Sequence, residues 1–545
     1  MKNNIKKLLP AYILSFVISF MIYIYEPILT YSTNVNDFWF DFKTMLEAIL
    51  IYFSILFLAL SFFYTAIYLI NKFILKKVKL YRYVMVLSYV AFMFIYIQGN
   101  YLIGSLPTLD GTTINWGSYT TENIISVCIV IVLLIIELIA MKKVKYNKIS
   151  TANNFITIAI GLMLSVSLVS TLMTPEIFKE KTVVNSTIRN INSASSDKNF
   201  FIFVVDAVDS GEFASVVEES EEYKSTLEDF TYYPDTVSGY LYTRDSIPFI
   251  LSGKWNENET DFTEYCKDAY ENSEFLNELK DQNYKMNFYE YQMNMSSKAA
   301  ENFDNIDVYE SDVDRIKLFK HFTKYAMFKY LPYQLKPYSR VESVNFDSCK
   351  IDKNNELFVW DNDVAYNTIK NNELNVEENK YFQFLHIEGG HVPFNNDENV
   401  NIIPETEGTY RMKLKATLNI IDTFINRLKE NNAYDNSVIV LMADHGYWAS
   451  TGRQNPILYI KGINETHDEM VTSDIPVSYE DLVKVYLQLL DGEKTENLFK
   501  DIDSNRVRRF IENLFESEDT MTEYEVKGKA WDSSSIYATG REFKR

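Results

Sequence analysis

The stretch TYRMKLKATLNIIDTFINRLKENNAYDNSVIVLMADHG, Thr409–Gly446, decides the reading of the fold. Its first half repeats apolar residues at helical spacing and predicts a long amphipathic helix, with a polar turn after it. VIVLMA then forms an unbroken apolar run rich in β-branched residues, the mark of a strand covered on both faces. The run ends on Asp444-His445-Gly446, where polar chemistry replaces the buried strand at once. Helix, turn, buried strand and polar strand end together predict an α/β sheet with helices packed on it.

The same grammar recurs on either side. NFFIFVVDAVDSGEF (Asn199–Phe213) reads as a buried strand running into two acids, Asp206 and Asp209. KYFQFLHIEGGHVPF (Lys380–Phe394) is a strand running into Gly-Gly and His391. NPILYIKG (Asn455–Gly462) is another short strand, and PVSYEDLVKVYLQLLDG (Pro476–Gly492) a helix closed by glycine. The expectation is a central, mostly parallel sheet with helices on both faces. Asp206, His391 with Glu388, and Asp444-His445 each follow a strand's C-terminal end, where open α/β sheets place their ligands. The chain has five histidines. Three of them, His386, His391 and His445, fall at these ends, while His321 and His467 read as structural or surface residues, and Asp209 as structural. Carboxylate oxygens and imidazole nitrogens at adjoining strand ends suit one divalent cation.

Outward of this region the composition divides. Residues 1–175 hold 13 Lys/Arg and 7 Asp/Glu; the remainder holds 40 and 67, and the whole chain carries a formal charge of −21. So acidic a chain argues against a nucleic-acid partner, which needs a basic surface. Runs nearly free of charge at Leu8–Tyr25, Ala48–Ile70, Val84–Ile103, Ile124–Ala140 and Phe155–Met173 each approach the length of a membrane-spanning helix. Lys2, Lys6 and Lys7 precede the first run. Lys72, Lys76, Lys77, Lys79 and Arg82 follow the second, and Lys142, Lys143, Lys145 and Lys148 the fourth. The alternate loops, Asp37–Asp41 and Asp110–Glu122, have little positive charge. The positive-inside rule then predicts a multi-pass cell-membrane protein with a cytoplasmic N-terminus and an extracellular second part. Glu137, inside the fourth run, marks either function or a snorkelling side chain. Expected boundaries are a five-helix transmembrane domain at 1–173, a juxtamembrane linker at 174–197, a catalytic domain at 198–500 and its C-terminal extension at 501–545. Cys128 lies in a span, which leaves Cys266 and Cys349 open as one pair or two free thiols. DRIKLFKHFTKYAMFKYLPYQLKPY (Asp314–Tyr338) is basic and aromatic amid acidic surroundings, and reads either as an element lying on lipid headgroups or an anionic polymer, or as an ordinary packed helix.

A further stretch, SGYLYTRDSIPFILSG (Ser238–Gly253), offers four Ser/Thr hydroxyls, at Ser238, Thr243, Ser246 and Ser252, which nothing local separates. Taken together, the motifs over Lys198–Gly492 resemble the sulfatase-like branch of the alkaline phosphatase superfamily. VVDAVDS is similar to its first metal-binding motif, DTFINRLKENNAYDNSVIVLMADHG to the segment delivering the last ligands, and HIEGGHVPF to the loop facing the transferred group. In sulfatases a Cys/Ser-x-Pro-x-Arg motif holds the nucleophile, with a glycine ten residues later; here Gly253 lies ten residues after Thr243. The chain reads TRDSI, with neither that Pro nor that Arg, and a threonine cannot become formylglycine. The resemblance therefore points to the lipoteichoic acid synthase and phosphoethanolamine transferase type, which also has five N-terminal spans and uses threonine, although those enzymes usually have Glu where this chain has Asp206. It implies one divalent metal ion (Mn, Zn, Mg or Ca), with a second left open, held by Asp206, Thr243, Asp444 and His445. It implies Thr243 as nucleophile, with His391, Arg244 and His386 toward the substrate. His386 stays open as a partner behind the ligands or as a second-metal ligand, and Arg244 as a phosphate clamp or a solvated loop charge. The expected reaction moves a glycerol phosphate or phosphoethanolamine type of group from a membrane lipid donor to a cell-surface glycan, polymer or lipid acceptor. Ester hydrolysis on the same fold is the alternative.

Overall fold

The structure, a computed structural model, describes every residue except 1, 36–37, 77, 105, 107–113, 180, 258–261, 311, 342, 352–355, 448–452, 513–519 and 545. Asp37, Lys77 and Asp110 of the loop-charge pattern lie outside the described residues. The chain forms two compact units: Met1–Val183 with Glu310–Ile351, and Val184–Tyr309 with Asp352–Arg545.

In the first unit, five helices among the described residues are long and apolar enough to cross a membrane: Lys6–Thr33, Phe42–Phe73, Leu80–Tyr101, Trp116–Lys143 and Tyr146–Thr171. Large apolar side chains such as Phe62, Leu58 and Val166 are exposed along them, as lipid-facing surfaces require. Glu137 accepts a hydrogen bond from Asn153 Nδ2 at 2.7 Å, so it is partnered by the fifth helix. The sequence did not place Glu310–Ile351 here. Its helix Arg315–Tyr330 buries Leu318 and Phe322 in one cluster with Tyr23, Met45 and Tyr52.

The second unit is built on a seven-stranded sheet: β1 (Asn199–Val205), β2 (Thr231–Tyr232), β3 (Lys285–Tyr289), β4 (Tyr381–Ile387), β5 (Ser437–Met442), β6 (Leu458–Lys461) and β7 (Val471–Thr472), in the order β7-β2-β6-β5-β1-β4-β3. Every residue of β1 is buried. Successive side chains point to opposite faces, so Phe200, Ile202 and Val204 enter one core and Phe201, Phe203 and Val205 the other. The helix Tyr410–Glu430, started by Thr409 Oγ1 accepting from Met412 N at 3.2 Å, covers one face. The helix Leu482–Leu490 covers the other. β5, β1, β4 and β3 are parallel, while β6 runs antiparallel to both β5 and β2, so the sheet is mixed.

Two further segments differ from expectation. The region expected as a linker holds strands at Thr182–Ser186 and Ser193–Ser195, the latter parallel to Asn375–Glu377. Runs this short and this rich in Ser and Asn carry no apolar signal. Cys266 and Cys349 are buried in separate cores and are not joined by a disulfide, so the pairing left open by the sequence is not formed. Arg508–Glu512, Thr520–Val526 and Ile536–Lys544 make an antiparallel sheet of the C-terminal extension.

Candidate metal centre and nucleophile

The parallel register decides where the chemistry meets. Val205 pairs with Ile387, Val204 with Met442, and Tyr289 with Leu385, so β1, β4, β5 and β3 end at nearly one level. Asp206 leaves β1, Glu290 leaves β3, His386 sits on the last turn of the pleat of β4, and Asp444-His445 follow β5. All five are buried.

The ends are locked by backbone. Ala207 takes a left-handed φ of 54°, and its N–H donates to Asp444 Oδ1 at 3.1 Å. Gly389, with φ 55°, packs directly on this turn: a Cβ there would lie 2.5 Å from Asp206 N and 2.8 Å from Asp206 O. Only glycine permits that approach. Asn362 fixes the glycine from the other side, its Nδ2 donating to Gly389 O and its Oδ1 accepting from Gly389 N, each at 2.9 Å. Glu388 is tied to the buried Lys413 Nζ at 2.5 Å, which anchors the loop leading to His391.

Asp206, His386 and Asp444 each offer a ligand atom, and these atoms lie within 4.8 Å of one another. Each histidine has its tautomer set by what its Nδ1 meets. His386 Nδ1 bonds Glu290 Oε2 at 2.6 Å, and His445 Nδ1 donates to Gly446 O at 2.7 Å. Both rings are thereby left with Nε2 facing the carboxylates: His386 Nε2 is 3.6 Å from Asp206 Oδ2, and His445 Nε2 is 3.3 Å from Asp444 Oδ2 and 3.7 Å from Asp206 Oδ1. Asp206 Oδ1, Asp444 Oδ2 and His386 Nε2 are buried and, among the described residues, have no hydrogen-bond partner. Leaving three converging polar atoms unsatisfied is costly, and a divalent cation among them satisfies all three. The donor set fits such an ion.

The electrostatics agree. Burial pushes Asp206 upward, but the His386 imidazole beside it and the charges of His391 and His445 outweigh that and hold it near 2. Burial and the charge of Asp206 push Asp444 above the ordinary carboxylate value. His386 is driven well above the usual histidine value: its burial opposes this, and Glu290 and Asp206 overcome it.

Thr243 is the first residue of the helix Thr243–Ser252, and its Oγ1 donates to Asp206 Oδ2 at 3.0 Å. It therefore sits at the positive end of a helix as well as against the cluster. Gly253, at φ 65°, closes the helix in the left-handed conformation. Ser246 lies inside the helix and donates to Tyr240 O at 3.2 Å. Ser238 is fully buried, and Ser252 Oγ turns back to Pro248 O, so neither shares the position of Thr243. The Arg244 guanidinium stacks over Phe262 at 3.8 Å. His391 is half-buried, donates Nδ1–H to Val392 O at 2.5 Å, and lies against Trp360, ring centroids 5.5 Å apart. His386, grouped in the sequence reading with substrate-facing residues, has no exposed surface and instead lies beneath Asp206. Asp209 caps the helix Ser210–Val217, as a structural residue does.

Sequence reasoning missed Glu290, Trp360 and Lys413. The signal for Glu290 is an acid directly after the segment KMNFY, whose mixed composition does not announce a buried strand.

A sulfatase family model matches residues 198–471. No curated protein matches the chain. Solved structures with similarity include the C-terminal periplasmic domain of EcEptC from Escherichia coli, at 12% identity, covering 64% of this chain and 96% of that one, with a TM-score of 0.32. Lipoteichoic acid synthase LtaP from Listeria monocytogenes matches at 12% identity, 65% and 88% coverage and a TM-score of 0.33. A Vibrio parahaemolyticus protein of the alkaline phosphatase superfamily matches at 12% identity, 66% and 85% coverage and a TM-score of 0.37.

Proposed function

Because the chain belongs to the sulfatase family and is an enzyme of that kind, we propose that it is a membrane-anchored phosphotransferase with Thr243 as nucleophile. The observation that carries this reading is the Thr243 hydroxyl itself, at a helix N-terminus and bonded at 3.0 Å to a buried carboxylate of the metal-type cluster. A threonine has no route to formylglycine, so the sulfate-ester chemistry of that group is unavailable at this position.

Asp206, Asp444, His386 and His445 would hold the divalent cation, whose bound charge would lower the pKa of the Thr243 hydroxyl. Two carboxylates with imidazole favour zinc or manganese over magnesium or calcium. Thr243 Oγ attacks the phosphorus of a lipid phosphodiester once its proton is lost to solvent, while Asp206, which stays a carboxylate, orients the hydroxyl through the 3.0 Å bond. The bond from phosphorus to the lipid oxygen breaks, and that oxygen takes a proton from His391 Nε2, left free to work by the Nδ1 bond to Val392 O. An acceptor hydroxyl then returns a proton to His391 Nε2 and attacks phosphorus; the Oγ–P bond breaks and Thr243 recovers its proton. Water in the acceptor's place gives hydrolysis. The lysine-rich ends of the spans support an N-terminus inside the cell and the enzyme domain outside it, facing a glycan, polymer or lipid acceptor of the cell surface.

The test is intact-mass analysis of the full-length protein after incubation with labelled membrane lipids. Wild type gains the mass of a phosphoryl-linked group, and Thr243→Ala gains none. A wild type that stays unmodified would count against a covalent transferase.

A further inference from the structure

The helix Arg315–Tyr330 carries two different faces. One is fastened to the membrane helices of its own unit. Lys329 Nζ pairs with Glu26 at 2.5 Å, Tyr330 Oη donates to the other Glu26 oxygen at 2.7 Å, and Tyr23 Oη bonds Thr323 at 2.8 Å. Tyr52 Oη donates to Arg315 O at 2.5 Å, and just beyond the helix Gln334 N donates to Asn123 Oδ1 at 2.9 Å. Gly99 lets the Tyr330 ring in, since a Cβ there would fall 2.3 Å from it. Residues 23–26, 52, 99 and 123 lie toward the ends of their helices that meet the charge-poor loops. The segment is thus fixed at that end of the spans.

The other face is open and basic. Lys317, Lys320 and Lys324, spaced three and four apart, form one exposed stripe that runs on to the exposed Met327. Among the described residues no carboxylate pairs with these three lysines; Lys317 Nζ donates to Ser348 O at 2.9 Å. Ile316 is 70% exposed and Tyr338 82% exposed beside the stripe. From Asp314 to Tyr338 there are six Lys/Arg and one Asp, in a chain of net charge −21.

We propose that this helix is a membrane-surface element whose Lys317, Lys320 and Lys324 bind the phosphates of anionic phospholipid headgroups. Attachment at the span ends keeps the stripe at headgroup level, and the charge is complementary. The exposed Ile316, Met327 and Tyr338 require an apolar boundary, which an acyl layer supplies and a hydrated anionic polymer does not. This stands apart from the chemistry assigned to Thr243 and survives if that assignment fails.

The experiment uses full-length protein in nanodiscs of phosphatidylcholine with a minor fraction of phosphatidylglycerol, and native mass spectrometry of the retained lipids. Wild type enriches phosphatidylglycerol over the disc average, by about fivefold for each lysine engaged. Lys317→Gln/Lys320→Gln/Lys324→Gln, with an unchanged thermal midpoint, falls back to the disc ratio. Equal enrichment in both overturns the proposal, as does wild type without enrichment that binds soluble poly(glycerol phosphate) instead. A nitroxide on Lys320→Cys, in a Cys128→Ser background because Cys128 is exposed, gives an independent reading of depth. Collision with both oxygen and a nickel chelate marks the headgroup layer; collision with nickel alone at its aqueous limit overturns the idea.

Discussion

Gly389→Ala is the sharpest single perturbation of the site, because the three atoms nearest its added methyl are all backbone. The new Cβ would stand 2.5 Å from Asp206 N, 2.7 Å from Val205 C and 2.8 Å from Asp206 O, none of which can swing aside as a side chain does. Carbon contacts settle near ~3.5 Å, so the Asp206 turn must retreat by roughly 1 Å. The left-handed φ adds ~1–2 kcal/mol for a residue with a Cβ, and overpacking ~1–3 kcal/mol, for a total of about 2–5 kcal/mol. At ~2–4 °C per kcal/mol this lowers the thermal midpoint by on the order of 10 °C. A 1 Å displacement of Asp206 from Thr243 also costs roughly 100-fold in rate. Gly492→Ala is the control: φ is 86° there, but nothing lies within 4 Å of the added Cβ, so only the backbone strain applies. Thermal unfolding and the rate of adduct formation on Thr243, measured on both variants, decide the matter. If Gly389→Ala melts within about 1 °C of Gly492→Ala and keeps its rate, the close approach of the two strand ends is not what organises the site.

Removing Glu290 by Glu290→Gln takes the carboxylate from His386 Nδ1 and is expected to weaken zinc or manganese binding by about 10–100-fold in a metal-buffer titration. Unchanged affinity would exclude the pair from the metal centre. Exhaustive chelation lowers the thermal midpoint of wild type, and an ion restored at 100 times its Kd returns ~2.7 kcal/mol; Asp444→Ala should show neither effect. Lys461 is buried among the carbonyls of Tyr434, Ser437 and Gly462, and burial depresses its ammonium to about 8 from 10.5. Between those values the unfolded chain binds more protons, so this group's contribution to stability rises with pH from about 8 upward; denaturation at pH 7.5 and 9.5 should show a flatter rise for Lys461→Met, and parallel curves would count against it.

Much of the fold is written locally. β1 and β5 are so uniformly apolar that both faces must be covered, and the polar residues that interrupt them fall at their ends for the same reason. Asp206, Asp444 and His445 were legible on that ground alone. Strand direction was not: β6 has the composition of its parallel neighbours, and only tertiary pairing with β5 and β2 turns it antiparallel. Nor was the reach of Glu290, which depends on β3 lying next to β4, a neighbour 96 residues away in sequence. The basic segment 314–338 stood out by composition, but its attachment to Glu26 spans 303 residues and has no local trace.

The position of Thr243 follows from charge. Asp206, Asp444 and Glu290 are three acidic side chains buried in one place, with His386 and His445 between them. Both imidazoles are turned by their Nδ1 partners so that Nε2 points inward, the orientation in which a histidine coordinates rather than donates a salt bridge. Such a cluster repels an anionic substrate unless a cation occupies it, so cation binding and phosphate binding are coupled in sign. In the proposed reaction, a nucleophile for phosphorus has to stand on the boundary between the two, close enough to be acidified and open enough to reach the substrate. The half-buried first residue of a helix, bonded to Asp206 and backed by the helix's positive end, meets both conditions. The three serine hydroxyls of the stretch, each turned onto a backbone carbonyl within the fold, meet neither.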